Sequence, residues 1–218
     1  EEEIDRVILY GVNEADARES DKIISAGSAS TTATALALKI ITKAYPVEQA
    51  TMTSVHAYTS DQSLQDYAGP DYRRSRSGAE NIIPNATPAL HWVQEVLPEM
   101  KGKLSAYALN VPVQVGSMLD ITVAFNESGI DVDKLNQLFI SAEEETPELL
   151  KTTGDPIVSS DVRGIPQSLL VDLLGTMKAG DRMIKILAWH ETLGHSKRIL
   201  DIIGTYAALG SYSKREAY

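Results

Sequence analysis

The chain has 218 residues, of which 43% are hydrophobic and 23% charged, and this composition excludes a disordered or fibrous protein. The formal net charge is 20 − 30 = −10, and two acidic segments, 1–21 and 127–155, each carry 2 − 8 = −6, which disfavours nucleic acid or an anionic membrane as the main partner. The absence of cysteine excludes disulfides, thiolate metal sites and a cysteine nucleophile.

The first third of the chain predicts strands around one helix. The apolar run RVILYGV at 6–12 is typical of a strand, and a polar loop follows it. Apolar residues at helical spacing predict a helix over 31–45, with the hydroxyls of Ser30, Thr31 and Thr32 at its start. The alternating segment 47–58 predicts the next strand.

The middle of the chain is dominated by a long polar segment at 60–80. A loop of this length inside a compact domain is usually functional or forms an interface. After it, TPALHWVQEVL at 87–97 predicts a helix with Thr87 as its cap and Pro88 at its first position. Strands are predicted at 104–113 and 117–126.

The last ninety residues predict two helices separated by strands. The segment 131–145 is an amphipathic helix with Leu135, Leu138 and Phe139 facing inward. The closing helix, 195–211, carries an apolar stripe, and 211–218 is expected to be a frayed tail. The stripe comprises Ile199, Ile202, Ile203 and Tyr206, and the strands between the helices are 156–161, 168–178 and 182–189.

Strands and helices alternate without a strict order, so the predicted class is α+β, with a largely antiparallel mixed sheet flanked by helices. The predicted organisation is an acidic lead-in at 1–22, one domain at 23–210 and the tail. No G-x-G-x-x-G is present, so no dinucleotide site is encoded in these residues. The four histidines show no tight ligand spacing, and no metal site is predicted.

Several motifs are spread along nearly the whole chain. They are GVNE (11–14), MTSVHAYTSDQ (52–62), DYRRSR (71–76), NIIP (81–84), GKLSAYALNVPV (102–113), IVSSDVRG (157–164) and MIKILAWHE (183–191). Together, these motifs resemble the catalytic domain of glyceraldehyde-3-phosphate dehydrogenase. The resemblance begins at the strand in 1–22, which is similar to the last strand of that family's nucleotide-binding domain, and the rest of that domain is expected to be missing.

The resemblance implies a nucleophile and a base, because the family's reaction needs a thiolate that attacks an aldehyde and a histidine that takes the proton. Ser30 stands at the nucleophile position, where a hydroxyl is a poor substitute for a thiol. The segment around Ser30 also has one residue more than the family's pattern. His56 stands at the base position. It is either a base or a strand residue whose ring nitrogens have hydrogen-bond partners within the protein.

The resemblance also implies anion sites, because phosphate accepts charge-assisted hydrogen bonds from hydroxyls and arginines. Two departures weaken them: Asn110 stands where the family has arginine, and Pro88 stands where it has glycine. The segment Trp189–Thr192 lacks the asparagine that orients nicotinamide. The residues at the anion positions are Thr31, Thr59, Arg74 and Thr87.

Two functions follow from the resemblance. The first is a non-catalytic relative that serves as a structural or protein-binding subunit of an assembly; the second is a fragment or Cys-to-Ser variant of an NAD(P)-dependent dehydrogenase. On either reading, the chain itself is expected to bind no cofactor, and NAD or NADP enters only with a nucleotide domain supplied elsewhere. The predicted location is the cytoplasm, with an organelle interior such as the plastid stroma as the open alternative.

The predicted partners are other proteins or further copies of this chain, with no nucleic acid and no membrane insertion. The contact surfaces are expected at the 60–80 loop, the sheet face or the helix at 199–206. The loop resembles the family's S-shaped loop at subunit contacts, and tyrosine and arginine are enriched in interfaces. Its interface candidates are Tyr67, Tyr72, Arg73, Arg74 and Arg76.

Overall fold

The computed structural model describes the backbone of residues 4–216 and the side chains of residues 4–210. Its centre is a mixed seven-stranded sheet with helices packed against it, which confirms the predicted α+β class and the largely antiparallel sheet. The strands are β1 (Arg6–Val7), β2 (Ile24–Ser25), β3 (Val47–Ala57), β4 (Ile83–Asn85), β5 (Leu104–Val111), β6 (Ser117–Phe125), β7 (Leu150–Thr153), β8 (Leu169–Ala179) and β9 (Met183–His190). The helices are α1 (Ala29–Ala44), α2 (Ala89–Val96), α3 (Val132–Glu145) and α4 (Thr192–Glu216).

The strands of the large sheet run in the order β4-β5-β3-β6-β9-β8-β7, and β1 and β2 form a separate parallel pair. The pairs β3–β5 and β7–β8 are parallel, and the other four are antiparallel. In the centre, Val55 of β3 lies opposite Leu109 of β5 and Met118 of β6. This register brings the carboxyl end of β3 beside the amino end of β6.

The core lies between the sheet and the helices. α1 is almost wholly buried over its first ten residues, and small and apolar side chains there allow close approach to the sheet. In α3, Leu135 and Phe139 are fully buried and Leu138 is partly buried, as the amphipathic pattern predicted. Phe125 of β6 packs edge-on against Tyr45 at the end of α1.

The predicted strand over 6–12 is wrong beyond Val7. The chain turns after Leu9, where the side chain of Asn13 accepts from the Leu9 amide and donates to the Val7 carbonyl. Gly11 has a φ of +87°, which a strand residue cannot adopt, and a Cβ there would collide with Leu149. The polar bonds of Asn13 therefore outweigh the strand propensity of the apolar run.

Two further differences concern short segments. The predicted strand at 156–161 is wrong: the backbone there is irregular and ends in a 3₁₀ turn over Ser159–Val162 that Asp161 caps through the Val158 amide. β4 and β7 were missed, because a three- or four-residue strand offers too little alternation to be recognised.

The helix ends also shift slightly. Ser28, not the residues from Ser30 onward, is the N-cap of α1, and α2 begins at Ala89 with Pro88 as its cap. α4 begins at Thr192, three residues before the predicted start. The backbone of 211–216 continues this helix, and the rest of the predicted tail at 211–218 lies outside the described residues.

Candidate functional site

A cavity of about 350 Å³ opens at one end of the sheet. It lies where β3 and β9 end and β6 begins, and the amino ends of α1 and α4 close its sides. The structure brings both predicted catalytic positions, Ser30 and His56, to the lining of this cavity, together with Thr59 and Asn110. Thr31, Arg74 and Thr87 are not among the lining residues.

The amino end of α1 holds its hydroxyl groups in a local network. Ser28 accepts from the Thr31 amide at 3.2 Å, and its hydroxyl lies 2.8 Å from the Thr31 hydroxyl. The Ser30 hydroxyl is buried and lies 3.2 Å from Ser28. Between the described side chains of Ser30 and His56 there is no hydrogen bond. The nucleophile position and the base position therefore share a cavity without being coupled.

His56 is instead held between two serines. Its Nε2 lies 2.8 Å from the hydroxyl of Ser54, and its Nδ1 lies 3.3 Å from the hydroxyl of Ser117. Ser54 is fully buried, whereas Ser117 is half-buried and lines the cavity. Burial lowers the pKa of His56 below its usual value, so the ring is neutral near pH 7.

Two further histidines lie beside this group. The ring of His190 packs edge-on against His56, with centroids 5.7 Å apart and planes at 71°. Burial, with His56 and His195 nearby, lowers the pKa of His190 to about 3. His190 Nε2 and His195 Nδ1 are buried and have no hydrogen-bond partner among the side chains that the structure describes. Both rings are therefore held neutral.

Asn110 belongs to a buried amide network that offers no positive charge. Its Nδ2 donates to Gln62 Oε1 at 3.0 Å, and its Oδ1 accepts from Asn85 Nδ2 at 3.3 Å. Gln62 Oε1 also accepts from the Thr59 amide at 3.0 Å. The amide of Asn110 is thus occupied by protein groups where the resemblance expects a guanidinium that faces phosphate.

The other predicted anion-binding groups also have internal partners. Arg74 forms an ion pair with Asp61, and the Thr59 hydroxyl donates to the same carboxylate. These contacts, the Thr59 hydrogen bond above all, lower the pKa of Asp61, so the carboxylate is ionised. The Thr87 hydroxyl accepts from the Ala89 amide at 3.2 Å. None of these three groups is directed toward an external anion.

The 60–80 loop has no regular secondary structure, but hydrogen bonds between its own residues hold it together. Asp66 accepts from Arg76 at 2.7 Å and from the Ser77 amide at 2.8 Å, and the buried Ser77 hydroxyl donates to Leu64. Tyr67 and Tyr72 project outward, Tyr72 with 90% of its surface exposed. Arg73 reaches the hydroxyl of Tyr107 on β5 at 3.5 Å. The loop thus presents aromatic and basic side chains from a fixed backbone.

The segment after β9 closes the cavity on the other side. Trp189 donates to Asp172 at 3.3 Å, and the carboxylate of Glu191 accepts from the Leu193 amide at 2.8 Å, where α4 begins. Neither Glu191 nor Thr192 offers the carboxamide that the resemblance expects for nicotinamide. The residues present do not fit that group.

Ser54, Ser117, Gln62 and Asp61 were missed as members of the site. A signal existed for Ser54, because residues two apart on a strand share a face and Ser54 precedes His56 by two. Ser117 comes from another strand, and Gly116 sets its place: φ is +82° there, and a Cβ would collide with the carbonyl of Ser159. Nothing in the sequence predicts that Ser117 lies beside His56.

Comparison with known proteins points to one family. Residues 28–192 match the family model described as the C-terminal domain of glyceraldehyde 3-phosphate dehydrogenase. A glyceraldehyde-3-phosphate dehydrogenase of Borreliella burgdorferi is 40% identical over 201 residues, 90% of this chain and 60% of the relative. The Mycobacterium leprae enzyme is 37% identical (92% and 59%), and glyceraldehyde-3-phosphate dehydrogenase 1 of Bacillus subtilis is 36% identical (95% and 63%). The chain thus spans about 60% of the length of these relatives.

Proposed function

The chain belongs to the glyceraldehyde-3-phosphate dehydrogenase family, and we propose that it does not carry out the family's thiol-dependent aldehyde oxidation but serves as a protein-binding subunit of an assembly. The observation that carries the proposal is the pairing of His56 with Ser54 and Ser117 rather than with Ser30. A hydroxyl without a base in hydrogen-bond reach is a weak nucleophile at neutral pH. The first step of the reaction therefore lacks both the thiol and its activator.

Substrate binding supports the same proposal. A phosphorylated aldehyde is bound most strongly by cationic donors that face the cavity. Asn110 is neutral and bonded to Gln62, and Arg74 is neutralised by Asp61. Of the side chains that line the cavity, only Glu191 carries a full charge at pH 7, and that charge is negative. An anionic substrate is disfavoured there by simple electrostatics.

Protein contact is supported by the apolar groups left in water. α4 buries Ile202 but exposes the neighbouring Ile199, Leu200 and Ile203. On the loop side, the exposed Tyr72 is followed in the chain by the basic residue Arg73, and both residue types are enriched in interfaces. The interface residues of the 60–80 loop remain a prediction, as does a cytoplasmic location. No helix in the described part of the chain combines the length and apolarity needed to cross a bilayer.

The alternative is a fragment or Cys-to-Ser variant whose NAD or NADP site lies on a nucleotide domain supplied elsewhere. The relatives' names favour it, since the named proteins are dehydrogenases. The alternative predicts that a single restored thiol revives activity once a nucleotide domain is supplied, whereas our proposal predicts that it does not. The removal of even one transition-state contact costs about a hundredfold in rate, and several are altered here.

The test is an assay of NADH formation with glyceraldehyde 3-phosphate, phosphate and NAD, run on the native chain, Ser30→Ala and Ser30→Cys, each mixed with the nucleotide-binding domain of a relative. We expect all three to match the buffer control at high protein concentration. Turnover by the native chain that Ser30→Ala abolishes, or substantial turnover by Ser30→Cys, would favour the alternative.

Assembly is tested on the same protein by light scattering. The native chain is expected to exceed the monomer mass or to retain a co-purifying partner, and Tyr72→Ala is expected to shift it toward monomer or release that partner. Val158→Ala, which changes an exposed apolar residue outside the 60–80 loop, the sheet and α4, serves as the control. An unchanged mass with an intact circular dichroism spectrum would place the interface outside the 60–80 loop.

A further inference from the structure

We infer that Ser117 and His56 form a nucleophile–base pair that hydrolyses small neutral carboxylic esters in the cavity. The Ser117 hydroxyl lies 3.3 Å from Nδ1 of His56, close to the reach of nucleophile–base pairs in unliganded enzymes. Both residues line the same cavity of about 350 Å³. This activity goes beyond the proposed binding function and does not depend on Ser30.

Ser54 completes the arrangement as a positioning residue. Its hydroxyl lies 2.8 Å from Nε2 of His56 and is fully buried, so it cannot itself meet a substrate. When Nε2 carries the ring proton and donates it to Ser54, Nδ1 keeps its lone pair for the Ser117 hydroxyl. This is the order of groups that an activated serine requires: nucleophile, base and a third group that orients the base.

The surroundings keep the base in its active form. Burial lowers the pKa of His56, and His190 beside it is neutral because its own pKa is about 3. The groups that face the His56 ring are thus two hydroxyls and one neutral imidazole. A neutral imidazole at pH 7 can accept the serine proton.

The amino end of α1 supplies donors for the negative charge that develops on the substrate. Ala29 and Ser30 begin this 16-residue helix and line the cavity, and backbone N–H groups in a first turn have no intrahelical acceptor. Such N–H groups, with the positive end of the helix dipole behind them, stabilise an oxyanion. The unpartnered Nε2 of the buried His190 is a second polar group at this wall of the cavity.

The reaction balances without a cofactor. Ser117 Oγ forms a bond to the acyl carbon while its proton passes to His56 Nδ1, and the ester C–O bond breaks as the alcohol leaves with that proton. Water then attacks the acyl-serine, gives a proton to His56 and releases the carboxylic acid, and the proton returns to Ser117. Esters with anionic acyl groups are disfavoured because Glu191, the charged side chain of the lining, is negative.

The test labels the native chain with a fluorophosphonate probe, locates the modified residue by mass spectrometry and measures p-nitrophenyl acetate hydrolysis. We expect the label on Ser117, loss of label and hydrolysis in Ser117→Ala, and a fall of about a hundredfold in His56→Gln. Ser105→Ala, an exposed serine on β5 of the same sheet, should match the native chain. Ser54→Ala should keep the labelled residue but change the pH profile of hydrolysis, which a merely structural role would not do.

A second measurement covers variants that fold poorly. The chain has no cysteine, so Ser117→Cys carries a single thiol. We expect iodoacetamide to alkylate it at pH 7 at least about tenfold faster than Ser105→Cys, with the advantage lost when His56→Gln is added. A label on Ser30 or elsewhere, unchanged hydrolysis in folded Ser117→Ala, or equal alkylation of the two thiols would overturn the proposal.

Discussion

The helix-covered side of the sheet and the cavity at its end are held together by different forces. Between the helices and the sheet, many buried apolar side chains share the stabilisation, and Leu38, Ile121 and Phe139 among them are fully buried. In the cavity and beside it, single polar pairs decide the geometry: His56 with Ser117, Asn110 with Gln62, and Arg74 with Asp61. The first region tolerates many sequences of similar apolarity, whereas one exchange in the second alters the chemistry.

The largest effect is expected in the helix-covered region. Phe139→Ala removes a fully buried ring from α3 and leaves a cavity, so the free energy of unfolding should fall by about 3–5 kcal/mol. Urea denaturation followed by circular dichroism measures it, and Phe139→Leu, which keeps most of the volume, should cost much less. Equal stability of Phe139→Ala and the native chain would mean that this region is not the main source of stability.

The buried histidines at the cavity should make the free energy of unfolding depend on pH. The folded pKa of His190, about 3, lies below its usual 6.5, so the unfolded chain binds the proton first as the pH falls. Stability should therefore be complete above pH 6.5 and be lost toward pH 3, by about 1.4 kcal/mol per pH unit for this one group. The pKa values of His56 and His195 are also lowered by burial, and these residues act in the same direction.

Urea denaturation at several pH values between 7 and 4 measures this slope. His190→Phe should flatten it, whereas His91→Gln should leave it unchanged, because the His91 side chain is 74% exposed. A slope that is the same in the native chain and in His190→Phe would contradict the neutral, buried state of this ring.

The smallest effect is expected from Asp61. This carboxylate binds Arg74 and the Thr59 hydroxyl, the two groups that were predicted to bind an anion. Asp61→Asn should free Arg74 and Thr59 and allow weak phosphate binding that the native chain lacks, detected as nuclear magnetic resonance shifts in a phosphate titration. Asp66→Asn, which frees Arg76 elsewhere on the loop, is the matched control. Phosphate binding of equal strength by the native chain would show that the internal pairing does not block the site.

The same contrast explains which parts of the structure could be predicted. Residues such as Leu135 and Phe139 of α3 carry the helical period, and β3 and β6 carry alternating apolar side chains, so the class, the sheet and most elements follow from the sequence. Ser30 and His56, chosen from the resemblance, both line one cavity, and their roles remain predictions.

The pairings inside the cavity could not be predicted, because they depend on ångström distances between residues far apart in the chain. Ser117 follows His56 by 61 positions, and the bond between them depends on strand register and on the turn at Gly116. The short strand β7 was missed for a related reason: its four residues are defined by pairing with β8 rather than by a pattern of their own. Long-range pairing is the information that a single sequence carries least clearly.

The central claim is that His56 is coupled to Ser117 and not to Ser30, and one measurement tests it directly. The pH dependence of iodoacetamide alkylation gives the thiol pKa of Ser30→Cys, with and without His56→Gln, in a chain that has no other cysteine. We predict the same thiol pKa in both proteins, because the amino end of α1 acts equally on each. A thiol pKa that rises by one unit or more (about 1.4 kcal/mol) when His56 is replaced would show that the two positions are coupled and would contradict the account.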